Sequence, residues 1–178
     1  NTSMINRFAH DRGLILHEVP VGFKHIAKLM IEDNVLIGGE ESGGIGVQGY
    51  LPERDGILMG LLVLEAMAVQ GESLPKILGR LERLYGRWHY GRKDLHVPMA
   101  RVQQFFERVS AHPPAAIAGV DVAEVKRLDG IKLIGRDESW LLFRRSGTEP
   151  IVRVYAESLV ASRVARLLAF GATLIQTA

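Results

Sequence analysis

The chain has 178 residues, 47% hydrophobic and 24% charged, which suits one large globular domain or two small ones with a sizeable core. A formal net charge of +2 leaves no general nucleic-acid footprint, and the absence of cysteine excludes disulfides and thiolate metal sites. The longest apolar run, residues 57–69, contains Glu65 and is too short to span a bilayer. No signal peptide is visible, so a cytoplasmic protein with neither membrane nor nucleic-acid partner is expected.

In chain order, Ser3 caps a predicted helix reaching Arg12, and Gly13 ends it. Residues 14–19 read as a short strand. A second helix is predicted over 23–32, with Phe23, Ile26, Ala27 and Met30 at core spacing. Asp33-Asn34 forms a turn, 35–37 a short buried strand, and 38–49 a glycine-rich loop. Asp55 caps a long helix over 56–70 that is expected to be buried, and Gly71 ends it. Ser73 caps the next helix, where Pro75 sits early enough to be tolerated. That helix carries Ile77, Leu78, Leu81 and Leu84. The alternation α-β-α-β-α predicts an α/β layer structure for residues 1–98.

Near Pro98 the pattern changes. A helix over 99–110 leads into Pro113-Pro114. Strands are predicted over 122–128, 131–135, 139–144 and 151–156. A last helix over 160–176 places Val160, Val164, Leu167, Leu168 and Leu174 near one face. Strands without intervening helices predict an α+β domain over 99–178, an antiparallel sheet with helices on one side.

Between the last two strands lies Arg144-Arg145-Ser146-Gly147-Thr148-Glu149-Pro150. Gly147 permits a tight turn whose successive N–H groups form an anion nest, and Ser146 and Thr148 add hydroxyl donors. Arginine meets a phosphate with a bidentate fork. Arg153 follows two residues into the next strand. The same string also fits an ordinary hairpin turn with solvated arginines.

A second loop, Gly38-Gly39-Glu40-Glu41-Ser42-Gly43-Gly44, is acidic. In extended backbone Glu40 and Ser42 point the same way and together suit adjacent sugar hydroxyls. A plain polar loop fits as well. Val21-Gly22-Phe23-Lys24 is a third candidate: Gly22 allows close backbone approach, and Phe23 or Lys24 is placed to contact a ligand. A helix start with one buried Phe and one solvated Lys accounts for the same residues.

The first string resembles the phosphate-binding loop in the last domain of the α-D-phosphohexomutases, which reads Arg-x-Ser-Gly-Thr-Glu-Pro and then Arg-x-Tyr. Arg144, Ser146, Gly147, Thr148 and Arg153 match it, while Arg145 falls at the variable position. The second string resembles the Gly-Glu-x-Ser-Gly sugar-binding loop of the same family's third domain, with Glu40 and Ser42 at the hydroxyl-binding positions. Some members carry His two residues beyond the Ser, where this chain has Gly44. Glu41 at the middle position resembles phosphoglucomutase-type members rather than amino-sugar mutases, whose loop usually carries Gln there. Gly22, Phe23 and Lys24 resemble the sugar-specificity loop.

The resemblance implies the C-terminal part of a phosphoglucomutase or phosphomannomutase: part of the third, sugar-binding domain over 1–98 and the fourth, phosphate-binding domain over 99–178. It further implies Mg²⁺ and hexose 1,6-bisphosphate as cofactors of the full-length enzyme, a hexose phosphate as substrate, and the N-terminal domains as partners. The family's Thr-x-Ser-His-Asn-Pro phosphoserine string and Asp-x-Asp-x-Asp metal string do not occur in these 178 residues. No catalytic or metal-ligating residue is therefore assigned here, and the chain alone is expected to be inactive. The alternative is a stand-alone, non-catalytic phosphosugar-binding module.

Overall fold

The computed structural model describes residues 1–146 and 149–177. The chain divides into two compact units between Gly86 and Arg87.

The first unit begins with helices α1 (Met4–Asp11) and α2 (Phe23–Glu32). A two-stranded hairpin follows, β1 (Ile37–Gly39) and β2 (Ile45–Val47), paired antiparallel with Ile37 opposite Val47. Two helices complete it, α3 (Gly56–Gln70) and α4 (Leu74–Tyr85). Local chemistry explains their ends. Asp55 accepts hydrogen bonds from the N–H groups of Ile57 and Leu58, both at 2.9 Å, and so satisfies two orphan donors of α3. Gly71 turns left-handed at φ 61° and closes the helix. Between α1 and α4, Phe8 meets Tyr85 edge-on at 5.6 Å, and the Tyr85 hydroxyl donates to Asp11 at 2.9 Å.

Three expectations for this unit need correction. Residues 14–19 form no strand: no neighbouring strand offers them a partner among the described residues, and Ile15 is 85% exposed. The strand expected over 35–37 starts at Ile37 instead, because the hairpin ladder with β2 ends at Ile37–Val47. The unit keeps its mixed α/β character, with helices before and after an antiparallel hairpin. Helix α3, expected to be buried, has no buried residue, and Ile57 and Val69 are each 81% exposed. Its sequence is apolar on every side, which suits a helix enclosed by a core. Within its own unit, however, α4 packs against only part of it. No single helix is long and apolar enough to cross a membrane among the described residues.

The second unit holds β3 (His89–His96), α5 (Met99–Ala111), β4 (Ala116–Ile117), β5 (Val120–Lys126), β6 (Ile131–Gly135), β7 (Trp140–Arg145), β8 (Ile151–Ser158) and α6 (Ala161–Gln176). Its sheet runs β3-β8-β7-β6-β5-β4, and every neighbouring pair is antiparallel. Helices α5 and α6 cover one face, as expected. Phe105, Val109, Leu167 and Ile175 from the helices meet Leu133, Leu141, Phe143, Val152 and Val154 from the sheet in one core. On β6 these residues alternate strictly with less buried neighbours, the period of two of a half-buried strand, whereas on β8 the opposite face is largely buried as well, with Tyr155 and Glu157 buried there.

The expected domain boundary near residue 98 falls after β3, whereas the compact units divide before it. Strand β3 pairs along all eight residues with β8, which ties it to the second unit. Its sequence, HYGRKDLH, shows no apolar alternation, so its strand character comes from β8. At Gly91 helix α6 lies directly on the strand, since a Cβ there would come within 2.8 Å of Val164 and 2.9 Å of Leu168.

Candidate functional site

The phosphate-loop candidates occupy the β7–β8 connection in the second unit. Arg144 near the end of β7 and Arg153 near the start of β8 are direct cross-strand partners. Ser146 donates its backbone N–H to the Ile151 carbonyl at 2.9 Å, which closes the base of the loop. Gly147 and Thr148 lie outside the described residues. Like charges directly opposite on adjacent strands repel, and the structure surrounds this pair with carboxylates. Asp129 lies 3.2 Å from Arg144 Nε, with the arginine side chain only 16% exposed. Asp94 on β3 stands opposite Arg153. Across the sheet the order is therefore Asp94, Arg153, Arg144 and then Asp129. The Nε atoms of both central arginines are buried and make no hydrogen bond.

Asp94 is itself engaged from its own strand. Arg92 donates to it through Nε at 2.7 Å and through a terminal nitrogen at 2.6 Å. This fork holds the Asp94 carboxyl below the usual carboxylate range and raises Arg92 further above its own. The Arg92 guanidinium also lies over the Tyr155 ring at 5.5 Å. On the same face Lys132 lies over Trp140 at 4.8 Å, and Trp140 donates to the buried Glu157 at 2.9 Å. Arg145 alternates to the opposite face and stacks over Phe106 at 4.6 Å. That separation fits its place at the variable position of the motif.

In the first unit Glu40 and Ser42 lie at the tip of the β1–β2 hairpin. The backbone here is a turn, and this corrects the extended geometry expected from the sequence. Gly43, at φ 89°, donates to the Glu40 carbonyl at 3.1 Å, while Glu40 donates to Gly44 at 2.9 Å. The Glu40 carboxylate is 12% exposed and pairs with Arg54 at 3.2 Å. Ser42 is exposed. Arg54 also lies over the Phe23 ring at 5.4 Å, so one cation links the 40–44 turn to the start of α2. A Cβ at Gly44 would fall under 3.0 Å from Arg54, so the Arg54 stem fills the space that a side chain at residue 44 needs.

In the third candidate segment Gly22 turns at φ 124° into α2, and Phe23 is 5% exposed. Phe23 is therefore a packing residue, lodged beneath Arg54 and Gly46. Lys24 is exposed and keeps its ammonium available.

Sequence reasoning missed Arg54, Arg92, Asp94 and Asp129. The i, i+2 spacing of Arg92 and Asp94 signals a same-face pair once residues 89–96 are known to be a strand. Asp129-Gly130 carries a turn signal between two predicted strands. Arg54 pairs with its neighbour Glu53, but the two partners that tie it to the candidate site, Glu40 and Phe23, lie 14 and 31 positions away.

Comparison with known proteins places these loops in context. The protein-family model for the phosphoglucomutase/phosphomannomutase alpha/beta/alpha domain III matches residues 1–85, and the model for the phosphoglucomutase/phosphomannomutase C-terminal domain matches residues 97–173. A phosphoglucomutase/phosphomannomutase from Thermococcus kodakarensis is 26% identical over 99% of this chain and 36% of its own length. A phosphoglucosamine mutase from Rhodospirillum rubrum is 30% identical over 98% of this chain and 35% of its own length. A solved structure from Thermus thermophilus, described as a phosphomannomutase, superposes with a TM-score of 0.77 and 34% identity, covering 98% of this chain and 34% of that one. The chain thus spans about a third of the length of these relatives. Two domain models of one family, matched in order along the chain and supported by the shared fold, show that the chain belongs to the phosphoglucomutase/phosphomannomutase family.

Proposed function

We propose that this chain supplies the phosphate-binding loop and the sugar-binding turn of an enzyme that interconverts hexose 1-phosphate and hexose 6-phosphate through a hexose 1,6-bisphosphate. Arg144, Arg153, Ser146, Gly147 and Thr148 bind the phosphate that is not reacting. Glu40 and Ser42 bind sugar hydroxyls, and Gly22 and Lys24 border the sugar while Phe23 supports them from beneath. The observation that carries this reading is the placement of two arginines side by side at the foot of a Ser-Gly-Thr loop. Two opposed guanidiniums repel until an anion bridges them. Glu41 at the middle of the sugar turn favours glucose over an amino sugar.

Chemistry of this kind depends on positioning and charge stabilisation, and these residues contribute the positioning. No group of three or more His, Asp or Glu is placed to hold a metal among the described residues. In this reading Mg²⁺ and the phosphoserine belong to parts of the cytoplasmic enzyme outside this chain, and the chain alone has no mutase turnover.

The test is titration of the chain with glucose 1-phosphate, mannose 1-phosphate and glucosamine 1-phosphate, before and after Arg144→Ala. Each charge-assisted hydrogen bond lost weakens binding roughly tenfold or more. Unchanged affinity in Arg144→Ala refutes the loop assignment. Equal affinity for all three sugars refutes the glucose preference. Turnover by the chain in a coupled assay refutes the division of labour.

A further inference from the structure

Arg144 is held from the side opposite Arg153. The Asp129 carboxylate reaches its Nε at 3.2 Å. Asp129 does not sit on the phosphate loop. It lies near the end of the 127–130 connection between β5 and β6, and Gly130 next to it adopts φ 96°. A Cβ on Gly130 would fall under 3.0 Å from the Phe143 carbonyl oxygen and at 3.1 Å from Arg144 Cγ. Gly130 therefore lets this turn lie flat against the β7 backbone, beneath the Arg144 stem. The neighbouring pair Ile131–Phe143 fixes its register. Asp129 thus reaches Arg144 from a turn that the sheet itself immobilises.

Two effects of such a carboxylate compete. Its negative charge lowers the attraction of the site for an anion. Its ion pair at Nε restrains the guanidinium from the side opposite Arg153 and offsets the repulsion between the two arginines while no anion is bound. Immobilising a long side chain before binding contributes about 0.5–1.5 kcal/mol. Asp129 is 35% exposed, so solvent partly weakens its unfavourable charge effect. We infer that Asp129 is a positioning residue for the phosphate site: it acts through Arg144, and its orienting effect outweighs its charge. The inference rests on the assignment of Arg144 to phosphate binding.

The test uses the 178-residue chain, inorganic phosphate as probe, and amide chemical shifts as readout. Asp129→Asn keeps the shape and removes the charge. It is expected to weaken phosphate binding ~2–10-fold, the fold-change equivalent of about 0.5–1.5 kcal/mol. In an Arg144→Ala background the same substitution is expected to leave affinity unchanged or raise it. A merely structural role would weaken binding in both backgrounds. Unchanged or tighter binding in Asp129→Asn alone overturns the positioning role. Failure of Arg144→Ala to weaken binding, or no binding by the unaltered chain, overturns the site assignment itself. A second readout needs no ligand: side-chain relaxation of the Arg144 Nε–H vector is expected to show larger-amplitude motion in Asp129→Asn. Unchanged order also counts against the tether.

Discussion

Replacing Gly130 by Ala tests whether the turn beneath Arg144 is built on a glycine-only backbone in close contact. Two costs arise there. A non-glycine residue held at φ 96° costs about 1–3 kcal/mol of backbone strain. Its Cβ would lie under 3.0 Å from the Phe143 carbonyl oxygen, so the β6–β7 ladder has to open, and overpacking of this kind adds about 1–3 kcal/mol. Gly119→Ala is the matched control. That residue has φ 85° in the β4–β5 turn, and a Cβ there meets nothing within 4 Å, so only the strain cost applies. Both sites lie in the second unit, which also contains both tryptophans, Trp88 and Trp140, so tryptophan fluorescence in urea follows this unit alone. Gly130→Ala is expected to destabilise by about 1–3 kcal/mol more than Gly119→Ala, with the same m-value in both. Equal losses within about 0.5 kcal/mol would refute the steric argument and leave only backbone strain.

Trp140→Phe removes the indole N–H that donates to Glu157, a carboxylate only 2% exposed, and is expected to cost about 1.5–3 kcal/mol in the same urea assay. A loss below about 0.5 kcal/mol would show that Glu157 is satisfied without it. Phe105→Ala empties the contact with Phe143, whose ring lies 5.0 Å away in a fully buried core, and is expected to cost about 3–5 kcal/mol. The hydrogen bonds from Arg92 depress Asp94 in the folded chain, so its stabilising contribution is complete above the unfolded carboxylate pKa. That contribution disappears as pH falls through the lower folded value. Asp94→Asn is accordingly expected to flatten the acid limb of the stability–pH curve, and an identical limb in the variant would assign that limb to other groups. Asp55→Ala is expected to speed amide exchange at Ile57 and Leu58, the two N–H groups it caps, relative to mid-helix amides; unchanged rates would exclude a capping role.

Elements with strong local signals were legible from the sequence. Helices α2 and α3 have the predicted bounds because Gly22, Asp55 and Gly71 mark their ends, and β6 matches because alternating burial and the flanking turns agree. Strand β3 was illegible, since a polar strand containing Gly91 becomes a strand only when β8 supplies its ladder. Residues 14–19 illustrate the converse: an apolar, strand-like segment stays irregular where no neighbour pairs with it. The 40–44 turn shows the same limit at smaller scale. Glu40 and Ser42 could be picked out by type and spacing, but the turn closed by Gly43 and the grip of Arg54 on Glu40 depend on residues brought together by the fold.

By itself the sequence picked out candidate residues for phosphate and sugar binding, because side-chain chemistry and a glycine's backbone freedom are local properties. It also determined part of the sheet, because period-two burial is written into β6. The tertiary structure decided that Arg144 and Arg153 face each other, that Asp94 and Asp129 flank them, and that Phe23 is buried beneath Arg54. Strand register and close packing set those arrangements. Both arise from hydrogen bonds and contacts between segments far apart in the chain, which no local window of residues contains.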